Sequence, residues 1–221
     1  MEKITVFCLI AAMALLGWAG YGRWQAQAEE AYGEDAGNQY VALTFDDGPN
    51  PEYTPVLLDG LKERGVKASF FLLGKYVEEN QELVRRMVEE GHLVGNHSFN
   101  HVILSKVPVE EAVAEIEKTN DAIKEVTGES PRYIRPPYGE WNDQLDERID
   151  MEKVLWNVDP LDWKVLDREK VAGHIMTHVR NGSIILLHDS YPSTVEAAFE
   201  VIDTLKDQGY TFVTVDELLV D

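Results

Sequence analysis

The sequence predicts an α/β protein built on a largely parallel sheet. Three observations lead there. Short apolar runs alternate with helical patterns along residues 40–215. Those runs are apolar at nearly every position, as in strands covered on both faces, rather than at every second position. The polar residues capable of chemistry fall just after the runs, where α/β barrels and open α/β sheets gather their reactive groups. A doubly wound sheet and a closed or distorted barrel both fit this pattern.

The elements follow in order. Residues 40–45 read as the first strand, running into Asp46-Asp47-Gly48-Pro49, whose Gly and Pro suit a tight turn. Thr54-Pro55 opens a helix that Gly65 closes, the usual asymmetry of proline at the start and glycine past the end. Residues 68–73 form an aromatic strand. A helix over 81–90 stops at Gly91, and 92–96 is the third strand. Residues 108–127 form a longer helix, with Val109, Ala112, Val113, Ile116 and Ile123 on one face and Gly128 past its end. Residues 132–135 are a short strand, 143–149 a brief helix and 153–157 the fifth strand. Asp167 can cap a helix carrying Val171, Ile175 and Val179. Residues 183–187 are a buried strand, 192–208 the last long helix and 210–215 the last strand.

At 221 residues the chain has room for one domain with a sizeable core. Its formal charge of −20 argues against binding nucleic acid or an anionic membrane through a general basic surface. The single cysteine, Cys8, lies in an apolar N-terminal stretch, so the body has no disulfide. That stretch, residues 4–19 behind Lys3, precedes Trp18, Tyr21, Arg23 and Trp24 and the small-x-small triplet Ala26-Gln27-Ala28. The expectation is a signal peptide or membrane anchor over residues 1–28, with 4–22 as the anchoring part. Residues 29–38 then serve as a polar linker and 39–221 as the single domain. Either outcome places that domain outside the cytoplasm.

The chemistry is concentrated at five junctions. Asp46 and Asp47 follow the first strand, where neighbouring carboxylates can divide two tasks, one holding a metal and one facing water. His97 and His101, four apart, would share one face of a helical turn, as a metal needs. Two imidazoles and one carboxylate leave coordination positions open, which marks a catalytic rather than a structural site. Zn²⁺ fits best, with Co²⁺, Ni²⁺, Mn²⁺ and Fe²⁺ admissible. His188 leaves a buried strand at the same rim, and Asp162 can fix its tautomer and keep it protonated. Arg135 can hold Asp46 ionised and aimed. The backbone N–H of Tyr138 can donate to an oxyanion. Trp141, Tyr138, Trp163 and Tyr191 are aromatic enough to stack on sugars.

TFDDGP, HSFNH, RPPYG, DPLDW and LLHD resemble, in order and spacing, the motifs of the polysaccharide deacetylases with a NodB homology domain, carbohydrate esterase family 4. The resemblance covers residues 40–215. It implies a distorted (β/α)₇ barrel and metal-dependent removal of N-acetyl groups from an acetylated polysaccharide. It further implies that Asp46 is the general base and that Asp47, His97 and His101 hold one divalent metal. Arg135 orients the base, Tyr138 lends its amide, and His188 is the acid tuned by Asp162. Pro136, Tyr138, Trp163 and Leu186 are the implied substrate contacts. Peptidoglycan N-acetylglucosamine is the first choice of substrate, with chitin oligomers, xylan and exopolysaccharide as alternatives. A metal-dependent phosphoesterase and a non-catalytic glycan-binding module are the rival readings. No protein partner is implied.

Overall fold

The structure, a computed structural model, describes residues 38–219. The expected leader, linker and Cys8 lie outside those residues, except for Asn38. Among the described residues no helix is long and apolar enough to cross a membrane.

Seven parallel strands form one sheet in the order β5-β4-β3-β2-β1-β6, with β7 also on β1. They are β1 (Gln39–Asp46), β2 (Ser69–Leu72), β3 (Leu93–Asn96), β4 (Tyr133–Ile134), β5 (Glu152–Lys153), β6 (Ser183–His188) and β7 (Tyr210–Phe212). The chain past β5 comes back beside β6 through a lone parallel bridge, Val158 to Ile185. That bridge completes an irregular ring, so the distorted barrel is the architecture, not the open doubly wound sheet.

β1 is the axis of this arrangement. It pairs with β6 from Val41 to Asp46, with β2 from Thr44 to Asp46, and with β7 from Gln39 to Val41. The strand period of two divides its side chains between two environments. Val41, Leu43 and Phe45 pack outward against the helices, in one cluster with Phe70, Leu72, Ile185 and Leu187. Ala42 faces the other way, in the inner cluster with Phe71, Tyr133, Val154 and Ile184. Thr44 and Asp46 continue that inner row towards the mouth. On β6, Leu186 and His188 extend the inner row begun by Ile184. Because the strands are parallel, both rows reach the same rim.

The helices are α1 (Thr54–Arg64), α2 (Gly74–Glu79), α3 (Gln81–Glu89), α4 (Val109–Thr127), α5 (Asp162–Val165), α6 (Arg168–His178), α7 (Pro192–Asp207) and α8 (Val215–Leu218). Gly65 closes α1 in the left-handed region at φ 63°. The Asp167 side chain caps α6 by accepting from the Lys170 N–H at 3.0 Å. Val215 and Leu218 plug the inner cluster.

Several expected elements are corrected. The helix over 143–149 is a single 3₁₀ turn, Asp143–Leu145, held by the Asn142 side chain. The fifth strand is two residues long rather than 153–157, and its partner changes to β6 past Trp156. The last strand ends at Phe212; Thr214 and Glu217 form a reciprocal capping box that turns the chain into α8. α6 ends at His178, so Val179 lies beyond its helical face. α2 and α5 were not anticipated, being too short to show periodicity.

Candidate active site

Where the inner rows reach the rim, Asp46, Asp47, His97, His101 and His188 share one wall of a cavity of about 430 Å³. Tyr138, Trp163, Leu186 and Tyr191 lie on the wall as well. Arg135 and Asp162 are fully buried behind it. All five expected junctions therefore meet.

Arg135 is placed by β4 and locked on every side. Its Nη1 donates to Asp46 Oδ1 at 2.8 Å and to Thr44 Oγ1 at 2.6 Å. Nε and Nη2 donate to the carbonyls of Val154 and Leu155, each at 3.2 Å. Its guanidinium lies 4.3 Å from the centre of the Phe71 ring. A buried cation so fully bonded has one task, to fix a carboxylate. Burial pushes the Asp46 carboxyl above its ordinary value, and Arg135 pulls against that rise.

Asp47, His97 and His101 converge on one point. Asp47 Oδ1 lies 3.5 Å from His97 Nε2 and 3.3 Å from His101 Nε2. The three donor atoms all lie within 4.8 Å of one another. Ligand atoms at about 2.1 Å from a tetrahedral Zn²⁺ stand about 3.4 Å apart, so these spacings suit one ion. Two further facts fit. Asp47 Oδ1 is buried without a hydrogen-bond partner. His97 Nδ1–H donates to the Arg135 carbonyl at 2.6 Å, which leaves Nε2 with its lone pair turned to the cluster. Burial drives His97 down to about 3, against the pull of Asp47, so its ring is neutral.

The route to this convergence differs from the expected helical turn. Residues 97–101 form an irregular segment in which Ser98 and His101 both hold φ near 63°. Of the six non-glycine residues in the left-handed region among the described residues, Asp47, Ser98, His101, Tyr138 and Leu161 lie at or beside the cavity. Backbone strain of this kind clusters where side chains must be aimed.

His188 lies next to the cluster, paired with Asp46 across the β1–β6 ladder, with Nε2 4.0 Å from Asp47 Oδ2. Asp162, the first residue of α5, accepts from His188 Nδ1–H and from the His188 backbone N–H, each at 2.8 Å. Thr194 Oγ1 donates to the same carboxylate at 2.9 Å. Burial alone would lower His188. The bond and charge of Asp162, with the charges of Asp46 and Asp47, lift it to about 9.

Other placements differ from expectation. Trp141 is not on the wall: it packs against the Leu104 cluster, its Nε1–H on Asp146 and Lys153 over its ring. Pro136 is buried and is not a wall residue. In the turn Pro137–Gly139 the backbone bonds come from Gly139 and Glu140, to Pro136 and Pro137, which leaves the Tyr138 N–H out of the ladder. Sequence reading missed Trp156 and Leu161 as wall residues. Period-two spacing from Val154, an inner residue, would have found Trp156. Asp189, read from the sequence as a polar residue ending the sixth strand beside His188, is fully buried; it accepts from Thr54 Oγ1 and its other oxygen has no partner.

A sequence model described as polysaccharide deacetylase matches residues 33–152. The peptidoglycan-N-acetylmuramic acid deacetylase PdaC of Bacillus subtilis is 44% identical over 184 residues, 83% of this chain and 39% of that protein. The peptidoglycan-N-acetylglucosamine deacetylase PgdA of Listeria monocytogenes is 44% identical over 181 residues, 82% of this chain and 39% of that protein. The chain thus spans about two fifths of the length of these two relatives. A chitooligosaccharide deacetylase of Bradyrhizobium is 37% identical over 197 residues, 81% of this chain and 90% of its own. The solved structure of PdaC matches with a TM-score of 0.81 at 43% identity, over 83% of this chain and 91% of that one.

Proposed function

This chain belongs to the polysaccharide deacetylase family, and from that premise we propose that it hydrolyses N-acetyl groups on a cell-wall or extracellular polysaccharide, releasing acetate. One observation carries the reading. A carboxylate locked on a buried Arg135 and an imidazole locked on a buried Asp162, paired on neighbouring strands, lie beside a three-donor cluster suited to a metal.

Asp47, His97 and His101 are the residues that hold the ion, and Zn²⁺ suits their nitrogen and oxygen donors. Such an ion supplies a Lewis acid that acidifies water and polarises an acyl oxygen. Asp46 Oδ2, free of Arg135, takes a proton from the attacking water, whose oxygen bonds to the amide carbon. The Tyr138 N–H donates to the developing oxyanion. His188 gives its Nε2 proton to the sugar nitrogen as the C–N bond breaks, leaving acetate and a free amine. Trp163 and Leu186 bound the space for the acetyl methyl.

The wall supports a neutral sugar at the reacting position. It carries no Lys or Arg among the described residues, and it carries Asp159. A sugar bearing its own carboxylate would meet that acidic edge unpaired. PgdA is named for N-acetylglucosamine and PdaC for N-acetylmuramic acid; the wall favours the former for this chain, within peptidoglycan. The same lack of cations weighs against a phosphoesterase, which clamps its substrate with basic groups or a second metal. The N-terminal apolar segment supports action outside the cytoplasm, secreted or anchored at residues 4–22.

The test is acetate release by the full chain from peptidoglycan and from chitooligosaccharides. Asp46→Asn should lower kcat roughly 10²–10⁴-fold while Zn²⁺ still binds. Chelation should abolish release and added Zn²⁺ restore it. Full activity in Asp46→Asn would end the proposal.

A further inference from the structure

We infer that Glu115, on α4, is a positioning residue that holds residues 97–101 in the shape the metal requires. The inference rests on the reading of Asp47, His97 and His101 as the metal ligands. That segment belongs to no helix or strand, and its two left-handed residues, Ser98 and His101, carry side chains that disfavour the conformation. Groups outside the segment must therefore keep it in place.

Its five backbone N–H groups show how. His97 donates to the Leu72 carbonyl at 2.9 Å, Ser98 to Asn96 Oδ1 at 2.7 Å and His101 to Ser98 Oγ at 3.0 Å. The middle two both go to Glu115: Phe99 and Asn100 donate to Oε2 at 3.1 and 2.7 Å. The Asn100 side-chain amide adds a third bond, to Oε1 at 2.7 Å. One carboxylate thus gathers three donors from the stretch that separates the two histidines. An anionic acceptor binds such donors more strongly than a neutral one. On the other side, the carbonyls of Ser98 and Phe99 accept from the Gly74 and Lys75 N–H groups at 3.1 and 3.3 Å.

The two histidines depend on this clamp unequally. His97 follows directly from β3 and is pinned by the Arg135 carbonyl. The backbone of His101 is placed by the segment, and its ring packs against the edge of the Tyr138 ring, 4.7 Å away, and the His97 ring, 5.0 Å away. Releasing Glu115 lets the segment relax towards ordinary φ and carries His101 Nε2 away from Asp47. The loss falls on metal binding, and the general packing of α4 is spared, since Ala112, Val113 and Ile116 stay buried.

The experiment measures the Zn²⁺ dissociation constant of the full chain by competition with a chromogenic chelator, for wild type, Glu115→Gln, Glu115→Ala and His101→Ala. Glutamine keeps the shape but sets an NH₂ group where an acceptor stood. The expected result is a weakening of about 10-fold in Glu115→Gln and towards about 100-fold in Glu115→Ala. The metal-free thermal midpoint of Glu115→Gln should stay at the wild-type value. Saturating Zn²⁺ should restore most of its kcat with KM unchanged. Wild-type affinity in both Glu115 variants, with or without a fall in the midpoint, while His101→Ala loses affinity, overturns the assignment of Glu115 alone. Wild-type affinity in His101→Ala overturns the metal cluster itself, and this inference with it.

Discussion

At the scale of single residues, the site works by setting neighbouring acids and bases apart. Asp46 must be ionised and His188 protonated at the same time. Burial raises the first and Asp162 raises the second, to about 9. A bound cation lowers both, so kcat/KM should rise as Asp46 loses its proton and fall as His188 loses its own. Asp162→Asn removes the charge that favours the imidazolium, so the alkaline limb of that bell should move to lower pH. An unmoved limb would detach His188 from the acid role. Asp189 offers a separate test, on stability. Burial lifts its carboxyl from the ordinary 3.8 to about 7. The folded protein therefore holds a proton that the unfolded chain releases. Stability from this group is present below about pH 4 and is lost as pH rises through about 7. Asp189→Asn should then gain on wild type between pH 5 and pH 8, by roughly 2 kcal/mol, in urea unfolding. A constant difference across that range would contradict the buried, protonated acid.

At the scale of elements, the strand ends were legible because hydrophobic runs and polar residues alternate so cleanly. β1, β6 and the long helix α4 follow from apolar spacing alone, and Gly65 and Gly128 close their helices as expected. The connections were not legible. The spacing of His97 and His101 suggests a helical turn, yet Asn96, Ser98 and Glu115 satisfy the backbone there and hold an irregular path instead. Left-handed φ at Asp47, Ser98, His101, Tyr138 and Leu161 is imposed by tertiary contacts that no local pattern encodes. Two glycines separate these influences. At Gly74 an added Cβ would lie 2.4 Å from the Phe99 ring and 2.7 Å from Thr119 Oγ1. Gly74→Ala should thus cost about 1–3 kcal/mol and disturb the ligand segment. At Gly173, inside α6, an added Cβ meets nothing within 4 Å. Gly173→Ala should stabilise by about 0.5–1 kcal/mol, because alanine suits a helix interior better. Equal effects of the two changes in urea unfolding would refute the steric account.

At the scale of the whole molecule, the meeting of five distant segments followed from the parallel pattern, since parallel strands send all their carboxyl ends to one rim; that pattern left an open sheet and a barrel both standing, and the family resemblance selected the barrel. How the ring closes did not follow, because one bridge at Val158 has no sequence signature. The overall charge has a consequence for catalysis. With 40 acidic and 20 basic residues, the protein repels anionic polymers at long range. Raising salt from about 20 to about 200 mM should therefore increase kcat/KM on peptidoglycan, and leave neutral chitooligosaccharides nearly unchanged. The opposite ranking would mean that a local basic track guides the polymer.

β1 shares ladders with β2, β6 and β7 and leads directly to Asp46 and Asp47 at its end. Amide protons along such a strand can trade with deuterium only when the fold as a whole comes apart. Warming should therefore not wear the enzyme down by degrees: competence at the Asp46–Asp47 corner is kept until the domain melts, and goes with it.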